Sequence, residues 1–206
     1  MDDRFPLDPA VMEMARGDLE ASEADLAREV ATVRSTIRGS GRASPLAKLL
    51  CEAFAAALGK RGVEVDGVFH GTFNTGDLEP GRVTVADCWR IIPYENLLVV
   101  AEVTPAEVLE ILAEDGRIRT SDRTLWPFEV VRDATGKPLR IMRQGVELPA
   151  DRRLTIAFNS YDGQSGGRRL LRMRDILAAP SARRRTTAVD TRGALIDFLL
   201  DRGTIG

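Results

Sequence analysis

Histidine is almost absent: the 206 residues include one, His70. A dinuclear metal hydrolase draws on several His and carboxylate ligands. With one histidine, and no His-x-Asp or His-x-x-x-His spacing, no transition-metal site is expected within this chain. Cysteine is scarce too. Cys51 and Cys88 form no Cys-x-x-Cys pair and fall in apolar surroundings, which argues against zinc or redox chemistry and predicts two buried free thiols. There is no basic excess: 29 Lys and Arg face 31 Asp and Glu, for a net charge of -2, so nucleic acid is not an expected partner. No apolar run approaches the ~20 residues that cross a bilayer, so no membrane partner is expected. Residues 1–15 are acidic and lack an apolar core, so no signal peptide is read there.

What is present is ordinary for a globular domain: 44% hydrophobic and 29% charged residues, with no internal repeat. At about 150 residues per domain the length allows one domain and some extra chain. Residues 1–28 are acidic, with a thin apolar stripe of Met12, Leu19 and Leu26. Asp8 and Pro9 start a helix there, solvated for most of its length and leading in from something upstream. Ser44 and Pro45 open a second helix, whose core face is Leu46, Leu50, Phe54 and Leu58 and which Gly59 and Gly62 stop. Residues 63–69 read as a buried strand. Thr84 caps a short helix that Pro93 ends. Residues 97–103 are a continuous apolar run, hence a central strand. Thr104-Pro105-Ala106-Glu107 is a capping box for the next helix. Residues 128–132 and 139–143 flank turn chemistry and form a hairpin, 154–158 are a further strand, and 191–202 are the closing helix. Arg183-Arg184-Arg185 reads as a solvated run in a loop. Intermixed strands and helices predict an α/β or α+β domain, a mixed β-sheet packed with helices.

Two irregular segments follow buried strands, residues 70–81 and 159–167, and both are rich in glycine. Loops at strand ends are where ligand sites tend to lie, and glycine lets backbone N–H groups come close to a ligand. The chain has two tyrosines. Tyr94 follows Pro93, and Tyr161 sits in the second loop. Neither belongs to a core stripe. They fit two flat faces for a planar ligand, or two half-buried rings with their hydroxyls in water.

The stretch 71–100 resembles the C-terminal domain of the 5'-nucleotidase family, which includes UDP-sugar hydrolases. That family carries Asn-Gly-Gly-Gly-Ile-Arg, a Pro-x-Gly turn, a Thr-opened helix, Leu-Pro-Phe-x-Asn and an apolar strand. Here the run is His70-Gly71-Thr72-Phe73-Asn74-Thr75, then Pro80-Gly81, Thr84 and Ile92-Pro93-Tyr94-Glu95-Asn96. Later, Ala157-Phe158-Asn159-Ser160-Tyr161, ending in Gly166-Gly167, is similar to the family's Ala-Thr-Asn-Ser-Phe-Leu and Gly-Gly-Asp-Gly. The likeness runs in order over residues 30–206, with residues 1–28 in the place of an inter-domain linker helix. It implies that two aromatic rings stack on a nucleotide base, and by motif position these are Tyr94 and Tyr161. The candidate binding set it implies also includes His70, Gly71, Asn74, Asn96, Asn159, Gly166, Gly167 and Arg168. No catalytic residue is assigned.

The motifs depart from the family in several places. The usual Arg is Thr75, two glycines are Thr72 and Phe73, and the Asp of the second loop is Arg168, followed by Arg169. These changes predict weakened phosphate and ribose recognition, with Arg168 or Arg169 as replacement cations. In the family, hydrolysis belongs to an N-terminal metallophosphoesterase domain with two metal ions. Nothing in this chain resembles that domain, so divalent metals are expected only in the absent domain. The expected function is therefore recognition of a nucleotide or nucleoside, without turnover by this chain alone. The metallophosphoesterase partner would be supplied in cis or in trans. The alternatives are a degenerate partner-binding or regulatory module, and a self-contained hydrolase using His70 with Asp77 or Asp162. As written the chain reads as cytoplasmic. As a piece of an exported hydrolase it would be periplasmic or secreted.

Overall fold

The structure is a computed structural model that describes residues 8–73 and 76–206. In chain order it holds α1 (Pro9–Ala27), β1 (Glu29–Val33), α2 (Pro45–Lys60), β2 (Gly67–His70), β3 (Gly81–Thr84), α3 (Val85–Ile91) and β4 (Leu97–Val103). There follow α4 (Pro105–Gly116), β5 (Thr124–Trp126), β6 (Glu129–Arg132), β7 (Pro138–Arg143), β8 (Val146–Glu147), β9 (Leu154–Asn159) and α5 (Ser160–Gly163). The chain closes with α6 (Leu171–Ala178), β10 (Arg185–Asp190), α7 (Thr191–Arg202) and β11 (Thr204–Ile205).

Caps fix where the helices begin. The Ser44 hydroxyl accepts from Ala47 N–H at 3.2 Å at the head of α2, with Pro45 in the first turn. The Thr104 hydroxyl accepts from Glu107 N–H, and the Glu107 carboxylate accepts from Thr104 N–H, which closes the predicted box on α4. α1 begins at the predicted cap, Asp8, and buries no residue. It is the solvated helix its thin stripe indicates, with Leu26 alone packed against the core.

The central sheet runs β10-β4-β9-β2-β5. β2 and β9 are parallel, and the other neighbours are antiparallel, so the sheet is mixed as predicted. Smaller sheets β11-β1-β3 and β6-β7-β8 flank it. Alternate side chains of the central strands enter two apolar clusters. Val68 and Ala157 meet α2, α3 and α7 through Leu50, Phe54, Ile91 and Leu195 on one face. Phe69, Ile156 and Phe158 meet α4, α6 and the hairpin through Ile111, Met173 and Ile141 on the other. Cys51 and Cys88 are free and buried, and burial pushes both thiols up, Cys88 to about 12. No helix among the described residues is long and apolar enough to cross a membrane.

Three expectations change. The strand read over residues 63–69 shortens to β2. Pairing with β9 begins at Gly67, and Val63 and Val65 pack at the edge of the first cluster instead. The loop read over residues 159–167 is a strand end and a one-turn helix: Asn159 closes β9 and caps α5. A left-handed run from Ser165 to Arg168 follows. The arginine run is not all loop, because Arg185 opens β10, an edge strand whose one buried side chain is Val189.

Candidate functional site

The register of the central sheet gathers four chain ends at one edge. β2 and β9 run parallel and finish there. β4 and β5 run antiparallel to them and start there, with Leu98 opposite Asn159 and Thr124 opposite His70. The segments joined to those ends enclose a cavity of about 500 Å³. They are residues 70–73 after β2, 94–96 before β4, 118–123 before β5, and 161–162 after β9. Ligand pockets fall at such strand ends and in this size range.

Tyr94 and Tyr161 both stand on the cavity wall, 59% and 45% exposed. Phe73 joins them, its ring centroid 5.6 Å from that of Tyr94 and edge-on to it. Phe73 holds φ +60, a left-handed backbone that favours glycine. Behind Phe73 lies His70, 1% exposed and wedged between the Phe54 and Phe73 rings at 4.9 and 5.1 Å. Among the described residues neither imidazole nitrogen has a hydrogen-bond partner. Burial drives the His70 pKa down to about 4, against the pull of Asp162 and Asp122 and with the help of Arg123. The imidazole is therefore neutral at pH 7.

A chain of buried charges reaches the same cavity through Asp122, Arg123 and Asp162. The Arg123 guanidinium donates to both Asp162 oxygens, Nε–Oδ2 2.8 Å and Nη2–Oδ1 2.7 Å. Its Nη1 donates to Asp115 Oδ1 at 3.2 Å. Burial works against the charged Arg123, but the bonds to Asp162 and the charges of Asp162, Asp115 and Asp122 more than offset it. Asp115, fully buried, accepts from Arg42 Nη1 and from the Ser121 hydroxyl, each at 2.5 Å. Asp122 accepts from the Thr72 N–H at 2.8 Å and from the Thr72 hydroxyl. Gly71 is required here, because a Cβ would overlap Asp122 Oδ1 and stand 2.9 Å from Cγ.

Of the residues singled out in the sequence, the cavity brings together His70, Gly71, Tyr94, Asn96 and Tyr161. Asn159 lies behind the wall, buried, its Oδ1 accepting from Tyr161 N–H at 2.7 Å. Gly166, Gly167 and Arg168 are off the wall, while Arg169 is on it, its Nε bonded to Gly166 O. Asn74 and Thr75 lie outside the described residues. Asp77 accepts from Gly39 N–H and Asp162 holds Arg123, so neither carboxylate pairs with His70. The sequence reading missed Phe73 and the whole of residues 118–123. The polar run Thr120-Ser121-Asp122-Arg123, between a capped helix and an apolar strand, was the available signal.

Residues 23–175 match the family model described as the 5'-nucleotidase C-terminal domain. The chain belongs to that family. A search of curated proteins by sequence finds no match. Among solved structures, the domain is similar to a 5'-nucleotidase precursor from Thermus thermophilus, with a TM-score of 0.77 and 17% identity over 98% of this chain and 42% of that one. It is similar to a putative 5'-nucleotidase from Staphylococcus aureus, with a TM-score of 0.73 and 19% identity over 97% and 42%. It also resembles the NAD nucleotidase of Haemophilus influenzae, with a TM-score of 0.70 and 16% identity over 95% and 39%. At these identities the likeness shows the fold. The chain spans about two fifths of the length of these structures. As a 5'-nucleotidase C-terminal domain it has, among the described residues, no group of three or more His, Cys, Asp or Glu placed to hold a metal ion.

Proposed function

We propose that this domain is the substrate-recognition half of a nucleotide phosphohydrolase, and that a planar base enters the cavity between Tyr94 and Tyr161. One observation carries the reading. The only two tyrosines of the chain, 67 positions apart, stand on the wall of one cavity. Each ring–base stack is worth about 1–3 kcal/mol. Asn96 and Gly71 lie on the same wall, where they offer polar groups to the edge of a base or ribose. Arg169 is the wall cation without a carboxylate partner among the described residues, and it is the group available to an anionic substituent. In this reading residues 29–206 form the recognition domain and α1 connects it to a metallophosphoesterase domain that performs the hydrolysis.

The second reading, a domain that keeps the fold and serves as a partner-binding module, is favoured by Phe73. It stands where a family glycine would be and fills space beside Tyr94. Calorimetric titration with adenosine, AMP and UDP-glucose separates the two. The recognition reading expects binding by the wild type and a loss of about tenfold or more in each of Tyr94→Ala and Tyr161→Ala. No binding by the wild type at millimolar ligand would sink it and leave the module reading.

A further inference from the structure

We propose that Arg123 is the positioning residue of the aromatic clamp: its fork grips Asp162 and thereby sets the ring of the adjacent Tyr161. The inference rests on the reading of Tyr161 as a stacking ring. Tyr161 and Asp162 belong to α5, a helix of four residues. A single turn has almost no stability of its own, so its geometry is imposed from outside. At its head, Asn159 Oδ1 accepts from Tyr161 N–H. At the far end of the ring lies Gly167, where a Cβ would come within 2.6 Å of the Tyr161 hydroxyl. Sideways, Ser160 Oγ accepts from Leu97 N–H and Gly163 O accepts from Arg184 Nη1, each at 3.2 Å, while the one charged, two-pronged tie of the turn is the ion pair of Asp162 with Arg123, whose side chains are 4% and 13% exposed. Paired N–H···O bonds from a planar guanidinium fix direction as well as distance, which a lysine ammonium does not.

Arg123 is itself held in place. Its Nη1 donates to Asp115 and to the Ser121 hydroxyl, and Asp115 is anchored by Arg42 through both side chain and backbone carbonyl. All three guanidinium nitrogens therefore have protein acceptors. The charge of Arg123 is taken up inside the wall and is not offered to a phosphate.

The test uses Arg123→Lys and Asp162→Asn, which keep side-chain bulk and lose the fork, with tyrosine-labelled protein followed by NMR. Two tyrosines give two assignable sets of ring signals. The expected result is that the Tyr161 signals shift or broaden in both variants while those of Tyr94 stay. Adenosine and AMP affinities fall by the same factor, about tenfold, and adding Tyr161→Ala to either variant costs little more. Unmoved Tyr161 signals would overturn the proposal. So would a fall in melting temperature with both tyrosines moving together, the mark of a general structural role. A much larger loss for AMP than for adenosine would overturn it too, since Arg123 would then meet the phosphate. If the wild type binds neither ligand the stacking reading fails, and the Tyr161 signals alone decide whether Arg123 sets the ring.

Discussion

At His70, a neutral imidazole with no hydrogen-bond partner among the described residues sits where protonation would place a charge between two phenyl rings. Its native pKa of about 4 lies below the ordinary 6.5. Between those values the unfolded chain binds a proton that the folded chain does not. The stabilisation is thus complete above pH 6.5 and is lost as the pH falls toward 4. From about pH 7 to about pH 4.5 this amounts to roughly 2 kcal/mol. Urea unfolding across that range is expected to show His70→Leu with a shallower pH slope by about that amount. Parallel slopes would show that His70 does not titrate this way. At Gly71, the obstacle to a side chain is a buried carboxylate tied to Thr72, not a mobile surface group. Gly71→Ala is expected to cost about 1–3 kcal/mol. Gly59→Ala in α2, where nothing lies within 4 Å, is expected to gain up to about 1 kcal/mol. Thermal denaturation of both variants checks the opposite signs.

At the scale of elements, those written in local chemistry were legible and those set by distant pairing were not. Ser44-Pro45 and Thr104-Glu107 announce α2 and α4 because a cap is a contact three residues long. The apolar run of β4 announces a strand buried on both faces. By contrast α6 starts at Leu171, with Leu170 at its N-cap and no side-chain cap, after a left-handed stretch with two glycines, and gives no start signal. β10 is an edge strand with one buried residue, so its pattern is that of a loop. The site divides the same way. Tyr94 and Tyr161 were legible from motif position, whereas residues 118–123 reach the cavity only through the antiparallel register of β5 on β2. The legible chemistry also has a measurable size. Thr104→Ala removes the acceptor of Glu107 N–H and is expected to destabilise the fold by about 1 kcal/mol in urea unfolding. No measurable change would mean that α4 is held by its buried face, Val108, Ile111 and Leu112, without help from its cap.

For the molecule as a whole, two apolar clusters hold the faces of the central sheet, and the cavity at its strand ends has two half-exposed tyrosines on its wall. Among the described residues its histidine has no hydrogen-bond partner, Arg123 is held by Asp162 and Asp115, and no metal-ligand cluster occurs. The chain covers about two fifths of the solved structures it resembles, and under the proposed function the activated water is supplied by a metallophosphoesterase domain. Purified protein given AMP and a divalent cation is expected to release no inorganic phosphate above background. Release should follow addition of a metallophosphoesterase domain. In that mixture Tyr94→Ala and Tyr161→Ala should raise KM more than they lower kcat, because a base stack held equally in ground and transition states contributes uniform binding. Metal-dependent turnover by the chain alone that disappears in His70→Leu would overturn this division of labour and place the chemistry in the cavity itself.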